Sequence, residues 1–164
     1  MFCEYIRLHK RKDLLNYPIK DGRTALFVAA SLGDVQSAHE LLRSGASASI
    51  SRSDGATALY VAAASGHIAV TTLLLGYHAD TEKATGTDGS TPLFVACQNG
   101  HHKVVKTLLA QGADANKPTH AGATPMLVAA LKGHFDILTL LIENGGKIGG
   151  RDVDPARVVV ETHM

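Results

Sequence analysis

Apolar residues along this chain fall into paired short runs with helical spacing, nearly every run closed by a glycine. Residues 88–117, DGSTPLFVACQNGHHKVVKTLLAQGADANK, show the pattern most plainly. Leu93, Val95, Ala96 and Cys97 make a short apolar run, with Thr91 and Pro92 ahead of it. A threonine hydroxyl accepts a hydrogen bond from an orphan N–H of a first helical turn, and proline suits the next position, where no N–H is needed. Gly100 then supplies a residue that takes positive φ and stops the helix. From His102 to Gln111, Val104, Val105, Leu108 and Leu109 lie on one face of a second helix, which Gly112 closes. The spacing predicts helix, tight turn, helix and extended loop.

The rest of the chain repeats this unit. DG begins at Asp21, Asp54 and Asp88, with a worn Ala121-Gly122 in the fourth place, so the steps are 33, 34 and 33 residues. The second unit therefore holds one extra residue, expected in its loop near residues 84–87. TALFVAA, TALYVAA, TPLFVAC and TPMLVAA align without gaps. So do Gly33, Gly66, Gly100 and Gly133, and the pairs Leu41-Leu42, Leu74-Leu75, Leu108-Leu109 and Leu141-Ile142. A fixed period of this length signals a stack of repeats. The predicted divisions are 21–53, 54–87, 88–120 and 121–153, preceded by a segment 1–20 and followed by a tail 154–164.

This unit resembles the ankyrin repeat, through DG-x-TPL at residues 88–93, the Ala96-Cys97 pair, Gly100-His101, Val104-Val105, Leu108-Leu109 and GAD-x-N at residues 112–116. The resemblance implies an all-α solenoid of about four stacked helix–turn–helix units with extended loops. It also implies that His67, His101 and His134, at the same site of successive units, are structural and bond the turn between helices. Three departures stand out. Phe27, Tyr60, Phe94 and Leu127 occupy the place where the family has His after TPL, so apolar contacts between units are expected to replace that His network. His78 stands where other units have Gly45, Gly112 and Gly145. Gly145-Gly146-Lys147 and Gly149 replace the last GAD and Asn, which predicts a loose final loop.

One unit cannot bury its own apolar face, so neighbours must stack. The last unit, with Ile137, Leu138, Leu140, Leu141 and Ile142, reads as apolar almost all round. That points to cover from the tail, where Val158, Val159 and Val160 cap it in part, or from additional repeats or a capping partner at the C-terminal end. Residues 1–20 read as a capping helix or a partial repeat, with Phe2, Tyr5, Ile6, Leu8, Leu14 and Leu15 as its apolar set.

Composition changes this picture little. Hydrophobic residues at 45% and aromatic residues at 5% suit flat layers of Ala, Val and Leu. A net charge of +1 supplies no whole-molecule field for nucleic acid or membrane. Two cysteines make no disulfide framework, and Cys97 takes a place that Ala holds elsewhere, a small buried hydrophobe. No run approaches the roughly 18 apolar residues of a membrane helix, and MFCEYIRLHKRK carries charge where a signal peptide is apolar. A reducing, cytoplasmic setting is the expectation, with the nucleus also open to it. The basic run at residues 9–12 reads as a solvated helix end rather than a nucleic-acid patch.

Candidate chemistry is thin. Histidines one repeat apart sit on helices about 8–10 Å from each other, too far to converge on zinc at about 2.0–2.1 Å. His39-Glu40 lacks the second histidine of a zinc-protease motif, because Arg43 stands there. Gly145-Gly146-Lys147 lacks the upstream glycine and following Ser or Thr of a phosphate loop. No catalytic residue, metal or cofactor is assigned. Leu108, Asp114 and Asn116 match the family's pattern for asparagine hydroxylation, but Asn116 is also a good loop residue that bonds its own backbone.

The expected function is a non-catalytic protein–protein interaction module, an adaptor or scaffold holding a protein partner in the concave groove. The resemblance carries that contact onto the ends of the first helices and the loop tips: Arg23, Ser31, Leu32, Ala56, Ser65, Ser90, Gln98, Asn99, Ala123, Leu131 and Lys132. The alternative is a structural spacer within a larger ankyrin-repeat protein whose activity lies in another domain. An enzyme or a nucleic-acid binder is the least supported class.

Overall fold

The computed structural model describes residues 14–19 and 21–148. Residues 2–8, the basic run 9–12 and the valines 158–160 lie outside the described residues, as do the expectations built on them. The described part is four helix pairs: α1 (Ala25–Leu32) with α2 (Val35–Arg43), α3 (Ala58–Ala64) with α4 (Ile68–Gly76), α5 (Pro92–Gln98) with α6 (His102–Ala110), and α7 (Pro125–Lys132) with α8 (Phe135–Glu143). Odd-numbered helices form one layer and even-numbered helices a second. The first layer is the more tightly packed, each of its helices lying against the next.

Local sequence sets each helix start. Thr24, Thr57, Thr91 and Thr124 accept the N–H three residues on, at 3.2, 3.2, 3.1 and 3.2 Å. This is the capping expected of Thr91, repeated in every unit. The core is built from the same positions of each unit. Leu26, Leu59, Leu93 and Met126 are buried in the first layer, and Leu74, Leu108 and Leu141 in the second. Small residues such as Ala30, Ala63 and Cys97 let the first-layer helices approach closely.

Stacking is fastened by the repeated histidines. His67 Nε2 lies 3.2 Å from the Ser31 carbonyl oxygen, His101 Nε2 3.0 Å from that of Ala64, and His134 Nε2 3.3 Å from that of Gln98. A carbonyl only accepts, so Nε2 carries the proton in each case. The family expectation of a bond to the turn is thereby made specific: the turn belongs to the preceding unit. A Cβ on Gly66 would sit 2.6 Å from the His101 ring, so that turn needs glycine for space as well as for its φ of 74°.

The loops form hairpins whose tips lie side by side. Ile19 pairs with Arg23, Arg52 with Ala56, Thr85 with Ser90 and Thr119 with Ala123. The third span is longer by one, which places the extra residue between Thr85 and Ser90. Adjacent tips are joined through the backbone: Gly86 N–H donates to Asp54 O and His120 N–H to Asp88 O, both at 2.8 Å. The expectation that apolar contacts alone replace the family's His network is therefore too simple. Phe27 and Phe94 are buried, but Tyr60 reaches Ser90 Oγ at 3.3 Å.

One further expectation is corrected. Over its described residues, 145–148, the final loop is not loose. Asn116 Nδ2 donates to Gly145 O at 2.9 Å, Lys147 N–H donates to Asn116 Oδ1 at 2.7 Å, and Thr124 Oγ1 donates to Lys147 O at 3.1 Å. In the last helix Ile137, Leu138 and Leu141 are buried and Leu140 and Ile142 half-buried, and the tail expected to cover this unit lies outside the described residues.

Two sites hold strain that substitution should release. His78 is the one non-glycine residue at positive φ among the described residues, at 59°. His78→Gly should raise unfolding free energy by about 1 kcal/mol. Thr71 is fully buried in α4 and its hydroxyl has no hydrogen-bond partner. Thr71→Val, of the same shape, should also stabilise by about 1 kcal/mol. Denaturant melts read both; a lower midpoint in either variant would count against the corresponding assignment.

Candidate functional site

The surface that varies from unit to unit is the C-terminal end of each first-layer helix. The two residues before the turn glycine are Ser31 and Leu32, Ala64 and Ser65, Gln98 and Asn99, and Leu131 and Lys132. Capping, core packing and the histidine bonds occupy the repeated positions, and these eight carry side chains that differ. Leu32 and Leu131 are 72% and 75% exposed. Ser65, Asn99 and Lys132 are exposed, and Gln98 and Ser31 half-buried. The row is nearly uncharged along its length, with Lys132 at one end.

Two of these residues are partly committed. Ser31 Oγ donates back to Val28 O at 2.8 Å. Asn99 Nδ2 donates to Ala64 O at 2.7 Å, so that carbonyl takes both this amide and His101. Asn99 therefore fastens units together as well as facing solvent.

The loop tips are more constrained than their sequence suggested. Arg23 is paired with Asp21, Nε to Oδ2 at 2.5 Å. Arg52 is paired with Asp54, and its guanidinium lies 5.6 Å from the centre of the Phe27 ring, a cation–π contact across units. Ala56 and Ser90, expected among the contacts, are 3% and 2% exposed. Both close a hairpin, and their side chains pack inside it, so neither offers a surface to a partner. Ala123 is half-buried at the equivalent point.

Ser90 belongs to a small polar network instead. Asp88 Oδ1 accepts from Ser90 Oγ at 2.5 Å, Thr85 Oγ1 at 2.6 Å and Ser90 N–H at 3.0 Å. Because the Ser90 hydroxyl donates to Asp88, the Tyr60 hydroxyl must donate to Ser90 Oγ. The Ser90 hydroxyl, the Thr85 hydroxyl and the Ser90 N–H hold the Asp88 carboxyl down at about 2. Asp54 is lowered in the same way, chiefly by the Arg52 side chain. The Asp of each DG thus serves its turn. At Tyr60, where the family has a histidine and apolar packing is expected, the structure has a hydroxyl relay that no single motif announces.

Chemistry of other kinds finds little footing. Burial pushes the Cys97 thiol up to about 12, so at neutral pH it is an inert thiol rather than a nucleophile. Among the described residues no three His, Cys, Asp or Glu side chains converge as metal ligands. Asn116 uses both ends of its amide on the final loop, which accounts for its presence structurally.

The chain matches the family model for ankyrin repeats (3 copies) over residues 2–85 and again over residues 73–152. No curated protein matches it.

The Asp88 network predicts a pH dependence. Its folded value lies below the ordinary 3.8, so its contribution is fully present above about pH 4 and is lost as pH falls towards about 2. Asp88 is exposed, and solvent screening limits the contribution to about 1 kcal/mol or less. Unfolding free energies of the parent and Asp88→Asn should differ by about that at neutral pH and converge in acid. A gap that stays constant with pH would show that the network carries no such stabilisation.

Proposed function

The chain belongs to the ankyrin-repeat family, and from that premise we propose that it is an adaptor or scaffold that holds a protein partner along the ends of its first-layer helices. Ankyrin repeats in general are protein–protein interaction modules, and the family is typically non-catalytic. No helix among the described residues is long and apolar enough to cross a membrane.

One observation carries the finer reading. Positions that recur in every unit are used up inside the stack, whereas the row from Leu32 to Lys132 varies and contains two large apolar side chains in water. Long apolar and polar side chains make the anchor contacts of interfaces. Leu131, Lys132 and Gln98 are the main contacts proposed, with Ser65 between them and Arg23 and Leu32 at the first unit. The low charge of the row favours a partner segment that is itself apolar and uncharged. A reducing compartment, the cytoplasm first, suits a module with a buried free thiol.

The test uses two baits in source-cell lysate: the parent, and a variant with Ser65→Glu, Gln98→Ala, Leu131→Glu and Lys132→Glu. These sites are exposed or half-exposed, so the two baits should melt alike. Asn99 is left unchanged because it bonds Ala64 O, and Leu32 because it also borders a separate groove. A protein retained by the parent and lost from the variant supports the reading. Identical capture lists would sink it.

A further inference from the structure

A second set of bonds ties each loop to the next, through one column of side chains. Asn16 Oδ1 accepts from Ser47 N–H at 2.8 Å, Glu82 Oε1 from Asp114 N–H at 3.0 Å, and Asn116 Oδ1 from Lys147 N–H at 2.7 Å. The remaining member of the column is Ser49, and the N–H at the matching position is that of Asp80. Among the described residues no bond joins these two. The Ser49 hydroxyl turns back instead to Ser47 Oγ, at 2.8 Å. Length is the reason: a serine oxygen stands one bond nearer Cα than an asparagine oxygen and two nearer than a glutamate oxygen. The hairpin tips at this joint are open as well. Gly86 and His120 each donate to the Asp of the preceding tip, but no bond runs from Ser53 N–H to Asp21 O. Beyond apolar packing, the first and second units are held by the His67 ring and by the contact of Arg52 with Phe27.

The receiving side of that joint is nevertheless complete. Asp80 Oδ1 accepts from Glu82 N–H at 2.8 Å, as Asp114 Oδ1 accepts from Asn116 N–H at 2.8 Å. The second unit's loop therefore makes the same turn as the third unit's. Lys83 aligns with Lys117. Lys117 Nζ lies 3.3 Å from Glu82 Oε2 and donates to Glu82 O at 2.8 Å. Lys83 is exposed and enters no ion pair among the described residues. What this joint lacks is an anionic oxygen as far from the Cα of residue 49 as the Glu82 carboxylate is from its own. Negative charge beside Asp80 is no obstacle, because Glu82 sits beside Asp114 in the next joint.

We propose that Ser49 is a phosphorylation site and that its phosphoryl group closes the joint between the first and second units. Phosphoserine holds its terminal oxygens as many bonds from Cα as glutamate holds its carboxylate oxygens, so on residue 49 it takes the place that Glu82 has in the next joint. It brings a charge of roughly −1.5 to −2 and three strong acceptors, enough for the Asp80 N–H and Lys83 Nζ together. Ser49 is exposed and its hydroxyl bonds only within its own loop, so a kinase can reach it. The phosphoryl donor is a nucleoside triphosphate. Ser49 Oγ bonds to the terminal phosphorus, the bond from that phosphorus to the nucleoside diphosphate breaks, and the hydroxyl proton passes to the base of the kinase. Closure holds Ser31 and Leu32 in place against the rest of the row; that consequence rests on the partner reading above, whereas the phosphate seat does not.

The test keeps the full chain and reads hydrogen exchange of the Asp80 and Asp114 amides. It compares the parent, the chain with phosphoserine incorporated at position 49, Ser49→Glu, Ser49→Glu/Lys83→Met, and Glu82→Ser. Phosphoserine and Ser49→Glu should each slow exchange of the Asp80 amide about tenfold and leave Asp114 as in the parent. Adding Lys83→Met should return most of that gain, and Glu82→Ser should speed exchange at Asp114 by a similar factor. An Asp80 amide indifferent to both changes at position 49, or a gain indifferent to Lys83→Met, overturns the seat. Mass spectrometry of the chain purified from source cells, with phosphatases inhibited, should find one phosphoryl group on Ser49. An unmodified Ser49, or phosphate confined to Ser47, Ser51 or Ser53, overturns the assignment of the site.

Discussion

The stack depends on one bond made three times: a histidine ring of each later unit donating Nε2–H to a carbonyl at the end of the preceding first-layer helix. The bond needs three residues to agree. The histidine must stand at the start of the second-layer helix, the acceptor must lie at the end of the previous first-layer helix, and the next residue but one must be glycine. A side chain on Gly33, Gly66 or Gly100 would meet the ring at 2.6–2.8 Å. Apolar burial supplies most of the stabilisation of such a stack, but it is indifferent to register. The ring, its acceptor and the glycine gap are not, and they fix how one unit sits on the next.

Much of this was legible in the sequence because a repeat offers four readings of each position. The thread of Thr, apolar run, Gly and His recurs at nearly constant spacing, so helix starts, turns and layers could be assigned by comparison within the chain. The strained His78 was visible as the odd residue in a column of glycines, and its φ of 59° follows from that column. What could not be read was any feature spread over two units with no column of its own. The Tyr60–Ser90–Asp88 relay joins a helix to the following hairpin, and nothing local in Tyr60 says whether it will pack as Phe27 and Phe94 do or donate its hydroxyl. Ala56 and Ser90 were misjudged as surface for the same reason. A residue beside an exposed turn is easily taken as exposed, but here the hairpin folds its closing residues inward.

The final loop shows how side chains can replace a missing motif. With Gly145, Gly146 and Lys147 in place of the usual residues, the backbone has unusual freedom, and ordering it costs more conformational entropy than ordering an ordinary loop. Asn116 from the preceding unit supplies both a donor and an acceptor to it, and Thr124 adds a third bond. Order in that loop is therefore borrowed from its neighbour.

Quasi-one-dimensional stacks separate the residues that hold units together from those that face outward, and this chain keeps the two sets almost disjoint. Within the row of helix ends Asn99 is the exception, facing solvent while its amide shares the Ala64 carbonyl with His101. A partner contacting Asn99 would act on the joint between the second and third units, whereas contact with Leu131 or Lys132 would touch only the fourth. Since neighbouring units share stability through their interfaces, a ligand that spans the row must tighten those joints by an amount set by its differential affinity for the closed stack. The physical consequence of binding thus depends on where along the row the partner lies, and Asn99 is the point at which recognition and stacking meet.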